Sequence, residues 1–247
     1  MTELLQQRRT IRKYSDQDIS NVLLDEILQC GTRASTTGNM QLYSIIVTRD
    51  KDMKEKMAPL HFNQPMVRSA PVTLTFCADF NRFNMWCRQR NAEPGYDNFL
   101  SFMTAAIDAL LVAQTVCVAA ESKGLGICYL GTVIYTADRI IELLDLPAGV
   151  VPVATVTLGW PAEEPEQVDR LSLKAVVHDE RYHNYSENDI DTFYAEKEAR
   201  ADSAQFIKEN NKETLAQVFT DVRYKKGDNE TFSAILLEVL RKQGFLK

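Results

Sequence analysis

The chain has 247 residues, of which 45% are hydrophobic and 25% charged, an ordinary globular composition with enough length to bury a sizeable core. Its formal net charge of -6 excludes a general electrostatic attraction to nucleic acid or to an anionic membrane surface, so local basic clusters carry more information than the average. Five widely spaced cysteines without a CxxC pair favour reduced thiols in a cytoplasmic compartment. Three histidines without HxxxH or HExxH spacing leave zinc chemistry little to stand on, and no metal site is expected.

In chain order, the first nine residues run quickly into charge and form no secretory pattern. Ser20 is placed to cap a helix that Gly31 can end. Residues 42–48 read as a strand, 52–58 as a short charged helix and 72–78 as a second strand. Residues 80–98 turn polar and aromatic, with Phe83, Trp86 and Tyr96 and no clear period, and are expected to form an inserted loop or lid. Residues 99–123 read as a helix that is apolar on nearly every face and therefore buried on all sides. Asp108 and Gln114 interrupt it, so it is expected to fall short of a membrane span. Ala105, Ala109 and Ala113 would let another helix, or a second subunit, approach closely. Gly124 and Gly126 lead into a short strand at 127–130, a helix follows around 139–144, and the β-branched run 151–158 suits a central, doubly covered strand. Beyond Pro165 charge and amides dominate. The expected organisation is a core over residues 1–185 and a helical extension over 186–247, closed by an amphipathic helix at 232–240.

Arg8, Arg9, Thr10, Arg12 and Lys13 gather cations around one hydroxyl, as either a solvated basic face or a phosphate clamp. The Gly124-Leu125-Gly126 pair supplies only two glycines of GxGxxG, has Tyr129 at the third position, and follows a helix instead of joining a strand to one, so a Rossmann site is not supported. There is no GxxxxGK[ST] and no GxSxG. Glu163 and Glu164, beside prolines, read as solvated loop charges. Unaided side chains thus offer little chemistry, and a cofactor is the economical source of it.

Five landmarks in order, RRTIRKY, RASTTGNMQLYSIIV, GLGICYLGTV, LGWPAEEP and VDRLSLKAVVHDERYH, resemble the nitroreductase family. The CADFNRF segment, the long tail and the closing RKQGF are similar to its larger, NADPH-preferring, oxygen-insensitive subgroup. The resemblance implies an α+β fold, a mostly antiparallel central sheet flanked by helices, in an intertwined homodimer with FMN at the interface. It further implies NADPH or NADH as co-substrate and ping-pong hydride transfer through flavin N5 to nitroaromatic or quinone-type acceptors. A flavin protein of the same fold with another reaction, such as dehalogenation, or without NAD(P)H turnover is the alternative, and a non-enzymatic interaction module is a more distant one.

Carried over residue by residue, the resemblance gives Arg8, Arg9 and Thr10 the FMN phosphate and ribityl chain, with Arg170 as a further cation. Arg12 would face the pyrimidine edge, where its charge balances the negative charge of the reduced ring. Ser35, Thr36, Thr37, Asn39 and Gln41 match a polar loop contributed by the partner subunit, and Gln64 a pyrimidine contact. Tyr129, Leu130, Gly131 and Thr132 match the strand end whose backbone approaches N5, although Thr132 stands where glycine is common. Val168 stands where a lysine commonly assists the phosphate. Arg200, Arg223, Lys225 and Lys226 are the tail cations available to a 2′-phosphate.

Overall fold

Four strands rich in β-branched and aromatic residues, β1 (Tyr43–Thr48), β2 (Val72–Asp79), β3 (Gly126–Leu130) and β4 (Val150–Gly159), make one antiparallel sheet in the order β1-β2-β4-β3. This is a computed structural model describing residues 1–247. Register runs from Thr48 opposite Thr73, through Thr73 opposite Thr157, to Cys128 opposite Thr157, with a bulge between Phe76 and Cys77. β2 and β4 are the inner strands, as the apolar run at 151–158 suggests.

The chain forms two compact units, one of Met1–Glu166 with Phe232–Lys247 and one of Gln167–Thr231. In the first, α1 (Thr2–Gln6) and α2 (Asn21–Gly31) precede the sheet, and Ser20 caps α2 by accepting the Leu23 N–H. α3 (Lys51–Met57), capped by Asp50, and α4 (Pro65–Ser69) join β1 to β2. α5 (Asn81–Gln89), the long α6 (Phe99–Ser122) and α7 (Ala137–Leu143) complete this series. In the second unit, α8 (Glu187–Ala199) and α10 (Leu215–Val218) begin with reciprocal capping boxes at Ser186–Asp189 and Thr214–Gln217, flanking α9 (Ala201–Glu209). The last helix, α11 (Lys226–Lys242), belongs to the first unit from Phe232 onward.

Strand periodicity divides the sheet into two chemically distinct faces. Leu74, Phe76, Val156, Leu158 and Ile127 pack against Val112 and Val116 of α6 and against Leu24 and Ile27 of α2. A Cβ at Gly31 would lie 2.2 Å from Val116 Cγ2, so the glycine sets how closely α2 approaches α6. Cys128 and Leu130, on the opposite face, pack with Met57, Ala58, Met66 and Val67. The end of α11 and the residues after it bury Val239, Leu240 and Phe245 with Phe102, Leu42 and Val151.

Three expectations need correction. Residues 81–89 are helical: Asp79 accepts the Arg82 N–H at the first turn, Cys87 is buried, and Phe83 packs on Phe80 and Tyr96, a local aromatic core that periodicity in so short a segment conceals. Within one chain α6 is buried on one side, for Phe99, Leu100, Met103, Ile107, Leu110 and Leu111 are exposed, a row at helical spacing. With a mean hydropathy of 1.8 over its most apolar window, α6 also has the length and composition of a membrane span, yet half of that window is buried inside the chain.

Asp108 explains the break in that helix. Its buried carboxylate accepts the Thr37 N–H at 2.9 Å, the Thr37 hydroxyl at 3.1 Å and the Leu42 N–H at 3.2 Å, fixing the polar loop before β1. Replacing Asp108 with Ala leaves two backbone donors without their partner. Urea denaturation should register a loss of about 3 kcal/mol; a loss under about 1 kcal/mol would mean that water substitutes for the carboxylate.

Candidate functional site

The basic segment is bound to the outer edge of β3 and the end of β4. The Ile11 N–H donates to the Ile127 carbonyl at 3.0 Å, the Ser15 N–H to Trp160 at 2.9 Å and the Ala162 N–H to Lys13 at 3.0 Å, and Tyr14 bridges Pro161. Only glycine fits opposite Ile11, because a Cβ at Gly126 would stand 2.5 Å from the Ile11 Cβ. This close approach presents Arg8 and Arg9 to an open cleft of about 380 Å3, shared with Gln7, Glu121, Gly124 and Leu125.

Carboxylates hold the cations in place. Arg8 Nε lies 3.1 Å from Glu121 of α6, whose side chain is only 9% exposed; burial raises the Glu121 pKa and the Arg8 charge opposes that rise. Arg9 meets the exposed Glu164 at 3.1 Å and the Pro165 carbonyl at 3.1 Å. Glu163 accepts the backbone N–H groups of Arg12 at 2.8 Å and Lys13 at 3.0 Å. The two glutamates are therefore structural partners of the basic segment and not merely solvated loop charges. Residues some 150 positions apart meet here, which sequence spacing cannot disclose.

Arg12 is exposed and its charge acts on the neighbouring Cys128 and Tyr14. Burial pushes the Cys128 thiol up and Arg12 draws it back. Tyr14 donates to the Ile11 carbonyl at 2.9 Å and meets Thr157 Oγ1 at 2.8 Å, and desolvation holds its hydroxyl well above the ordinary tyrosine value. The phenol thus braces the turn on which Arg12 rides.

At the far end of β3, Tyr129 and Leu130 lead into the turn carrying Gly131 and Thr132. No atom lies within 4 Å of where a Gly131 Cβ would stand, so open space adjoins this backbone. Thr132 Oγ1 lies 2.7 Å from Nδ1 of the fully buried His61, and Gln64 begins α4 three residues later. His61 escaped notice in the sequence because it belongs to no metal or triad spacing. Its partner, an unexpected threonine, was the available signal.

Ser35, Thr36, Thr37, Asn39 and Gln41 lie before β1, at the opposite edge of the sheet from the basic segment. Gly38, Asn39 and Gln41 all adopt φ near +55°, a conformation that Asn tolerates better than most residues. One chain therefore places Arg8, Arg9, Thr10 and Arg12 alongside β3, whose far end leads into Gly131 and Thr132, but does not bring the 35–41 loop to them. Arg170 is exposed in the second unit and donates to the Asp169 carbonyl at 2.8 Å. Among the tail cations, Arg200 chelates Asp202, Arg223 lies 4.3 Å above the Phe206 ring and Lys226 pairs with Glu230 at 3.8 Å.

The family model described as the Nitroreductase family matches residues 5–160. An FMN reductase [NAD(P)H] of Bacillus subtilis (strain 168) is 36% identical over 185 residues, 74% of each chain. An oxygen-insensitive NADPH nitroreductase of Salmonella typhimurium is 31% identical over 247 residues, covering 98% of this chain and 97% of that one. A crystal structure from Bacteroides fragilis NCTC 9343 superposes with a TM-score of 0.98 at 57% identity, covering 99% of this chain and all of the other.

Desolvation lowers the His61 pKa from 6.5 to about 4. Because the unfolded chain takes up the proton first, the stability owed to neutral His61 is whole above pH 6.5 and is lost as pH falls toward 4. Thermal midpoints of wild type and His61→Gln should therefore converge between pH 7 and pH 4.5. A constant gap across that range would contradict the assignment.

Proposed function

The chain belongs to the nitroreductase family, and from that premise we propose that it is an NAD(P)H-dependent oxidoreductase that carries FMN along β3, with nitroaromatic or quinone-type compounds as acceptors. The observation that carries this reading is a segment bearing Arg8, Arg9 and Arg12, hydrogen-bonded to that strand through Ile11, with open space beside Gly131 past the strand's far end. Gly126 to Leu130 spans four residue steps, about 13 Å at strand rise. An elongated phosphate–ribityl–ring molecule suits such a strip, basic at one end and open at the other.

Arg8, Arg9 and Thr10 bind the phosphate and ribityl chain. Arg9 is free to exchange its carboxylate for a phosphate at little cost, since an ion pair with a glutamate as exposed as Glu164, 85% at its side chain, contributes little. Tyr129, Leu130, Gly131 and Thr132 offer backbone groups to the N5 side, and Gln64 a side-chain amide to the pyrimidine side. When bound, FMN would supply hydride-transfer chemistry between NAD(P)H and the acceptor. Arg12 provides a fixed positive charge where negative charge accumulates on the reduced ring. The chain's contribution is charge, orientation and stacking space, and the scheme calls for no protein nucleophile.

The active form is a homodimer. Ser35, Thr36, Thr37, Asn39 and Gln41 sit at the sheet edge away from the basic segment, so they reach a cofactor there from a second subunit. The exposed apolar row of α6, from Leu100 to Leu111, supplies the surface for that association. The unpaired cysteines, four of them buried, support a reducing, cytoplasmic setting.

Purified protein should be yellow, and NADPH without oxygen should bleach it; a yellow protein that stays oxidised would point to a different flavin reaction, and one that takes up no FMN would sink the proposal. Arg12→Ala should slow bleaching by about tenfold or more, the effect of roughly 1.4 kcal/mol of lost charge stabilisation, while weakening FMN binding less. Equal bleaching rates would remove Arg12 from that role. Ile107→Glu with Leu111→Glu should convert a dimer to the 28.1 kDa monomer in sedimentation, and an unchanged mass would place the interface elsewhere.

A further inference from the structure

We propose that His61 is a positioning residue that joins, through Thr132 and Gln64, the two segments assigned above to the FMN ring. The inference rests on that cofactor reading and goes beyond it, because His61 itself touches neither the open space beside Gly131 nor solvent.

Three interactions stitch the segment 58–64 to the turn 131–136. His61 Nδ1 meets Thr132 Oγ1 at 2.7 Å, the Thr136 hydroxyl donates to the Leu60 carbonyl at 2.7 Å, and the rings of Phe62 and Tyr135 stack with centroids 6.3 Å apart. The His61 carbonyl also accepts the Gln64 N–H at 3.1 Å, so one residue contacts Thr132 through its side chain and Gln64 through its backbone. The local chain is bent to allow this: Phe62 and Asn63 both adopt φ of 55°, a left-handed conformation that costs a non-glycine residue energy and persists only where surrounding contacts enforce it.

The imidazole has no second anchor. His61 is wholly buried, and among the chain's own groups its ring is hydrogen-bonded only to Thr132, with no protein partner for Nε2. A buried polar side chain satisfied on one side only costs stability, and its placement between two segments of the site is what that cost secures. The threonine hydroxyl is the needed counterpart. Glycine at 132 would leave Nδ1 buried without a partner as well.

FMN release on dilution of the holoprotein, followed by flavin fluorescence, tests the link. Thr132→Val keeps the shape of the half-buried side chain and removes the hydroxyl; it should raise the FMN dissociation constant about fivefold, the effect of one lost hydrogen bond. Thr132→Ser should restore the wild-type value. His61→Leu should match Thr132→Val, and the double variant should be no worse than either single one. The bound flavin of the valine variant should also show a shifted absorption envelope and a lower reduction potential, neither of which follows from a general loss of stability. Valine and serine variants that hold FMN alike, with unchanged spectra, would overturn the inference while leaving the cofactor reading intact. A wild-type protein that cannot take up FMN would overturn both. If His61→Leu fails to fold, the valine and serine pair at Thr132 decides alone.

Discussion

The packing of α6 against the sheet is the constraint on which the remaining structure depends. One face of the helix supplies Ala109, Val112, Ala113 and Val116 to the main core. The same helix carries the two buried or half-buried acids that organise the candidate site. Asp108 takes the 37–42 loop, and Glu121 takes Arg8. They are thirteen residues apart, about 20 Å along a helix axis at 1.5 Å per residue. The helix thus acts as a ruler between two groups of polar residues that chain order alone would not relate.

The electrostatics of Arg8 follow from that placement. Glu121 is mostly shielded from water, and an unpaired charge there would be expensive, so the Arg8 charge beside it favours the ionised carboxylate at the mouth of a cleft. The same attraction would deplete the cleft of positive charge if Arg8 stood alone. Arg9 and the nearby Arg12 keep the strip basic, and Glu163 is occupied by the backbone N–H groups at Arg12 and Lys13. The carboxylates therefore shape the cationic segment more than they neutralise it.

Where local chemistry decides structure, the sequence was readable. Ser20 and Gly31 delimit α2, and the β-branched run at 151–158 became an inner strand, because caps, glycines and strand propensity act over a few residues. α5 is not legible in the sequence because its stability comes from Phe80, Phe83 and Tyr96 packing together, a tertiary effect within an apparently irregular segment. The Arg8–Arg12 cluster was ambiguous by composition; its attachment to β3 depends on Gly126, which reads as an ordinary turn glycine until Ile11 is laid across it. Asp108 looked like an interruption in an apolar helix. It is the anchor of a loop far away in sequence.

The exposed row of α6 and the separation of the polar loop from the basic strip bear on one another. A chain that leaves Leu100, Met103, Ile107 and Leu111 in water retains a large unfavourable apolar surface, and covering it by a second copy would remove that penalty. Twofold symmetry makes such a contact self-complementary, so each copy would offer its own 35–41 loop across the interface. Because Asp108 lies on the buried side of this same helix while Ile107 and Leu111 lie on the exposed side, the loop and the exposed apolar row are held by one rigid element. Association would then carry the loop with it as a preformed unit, without an ordering step at the site.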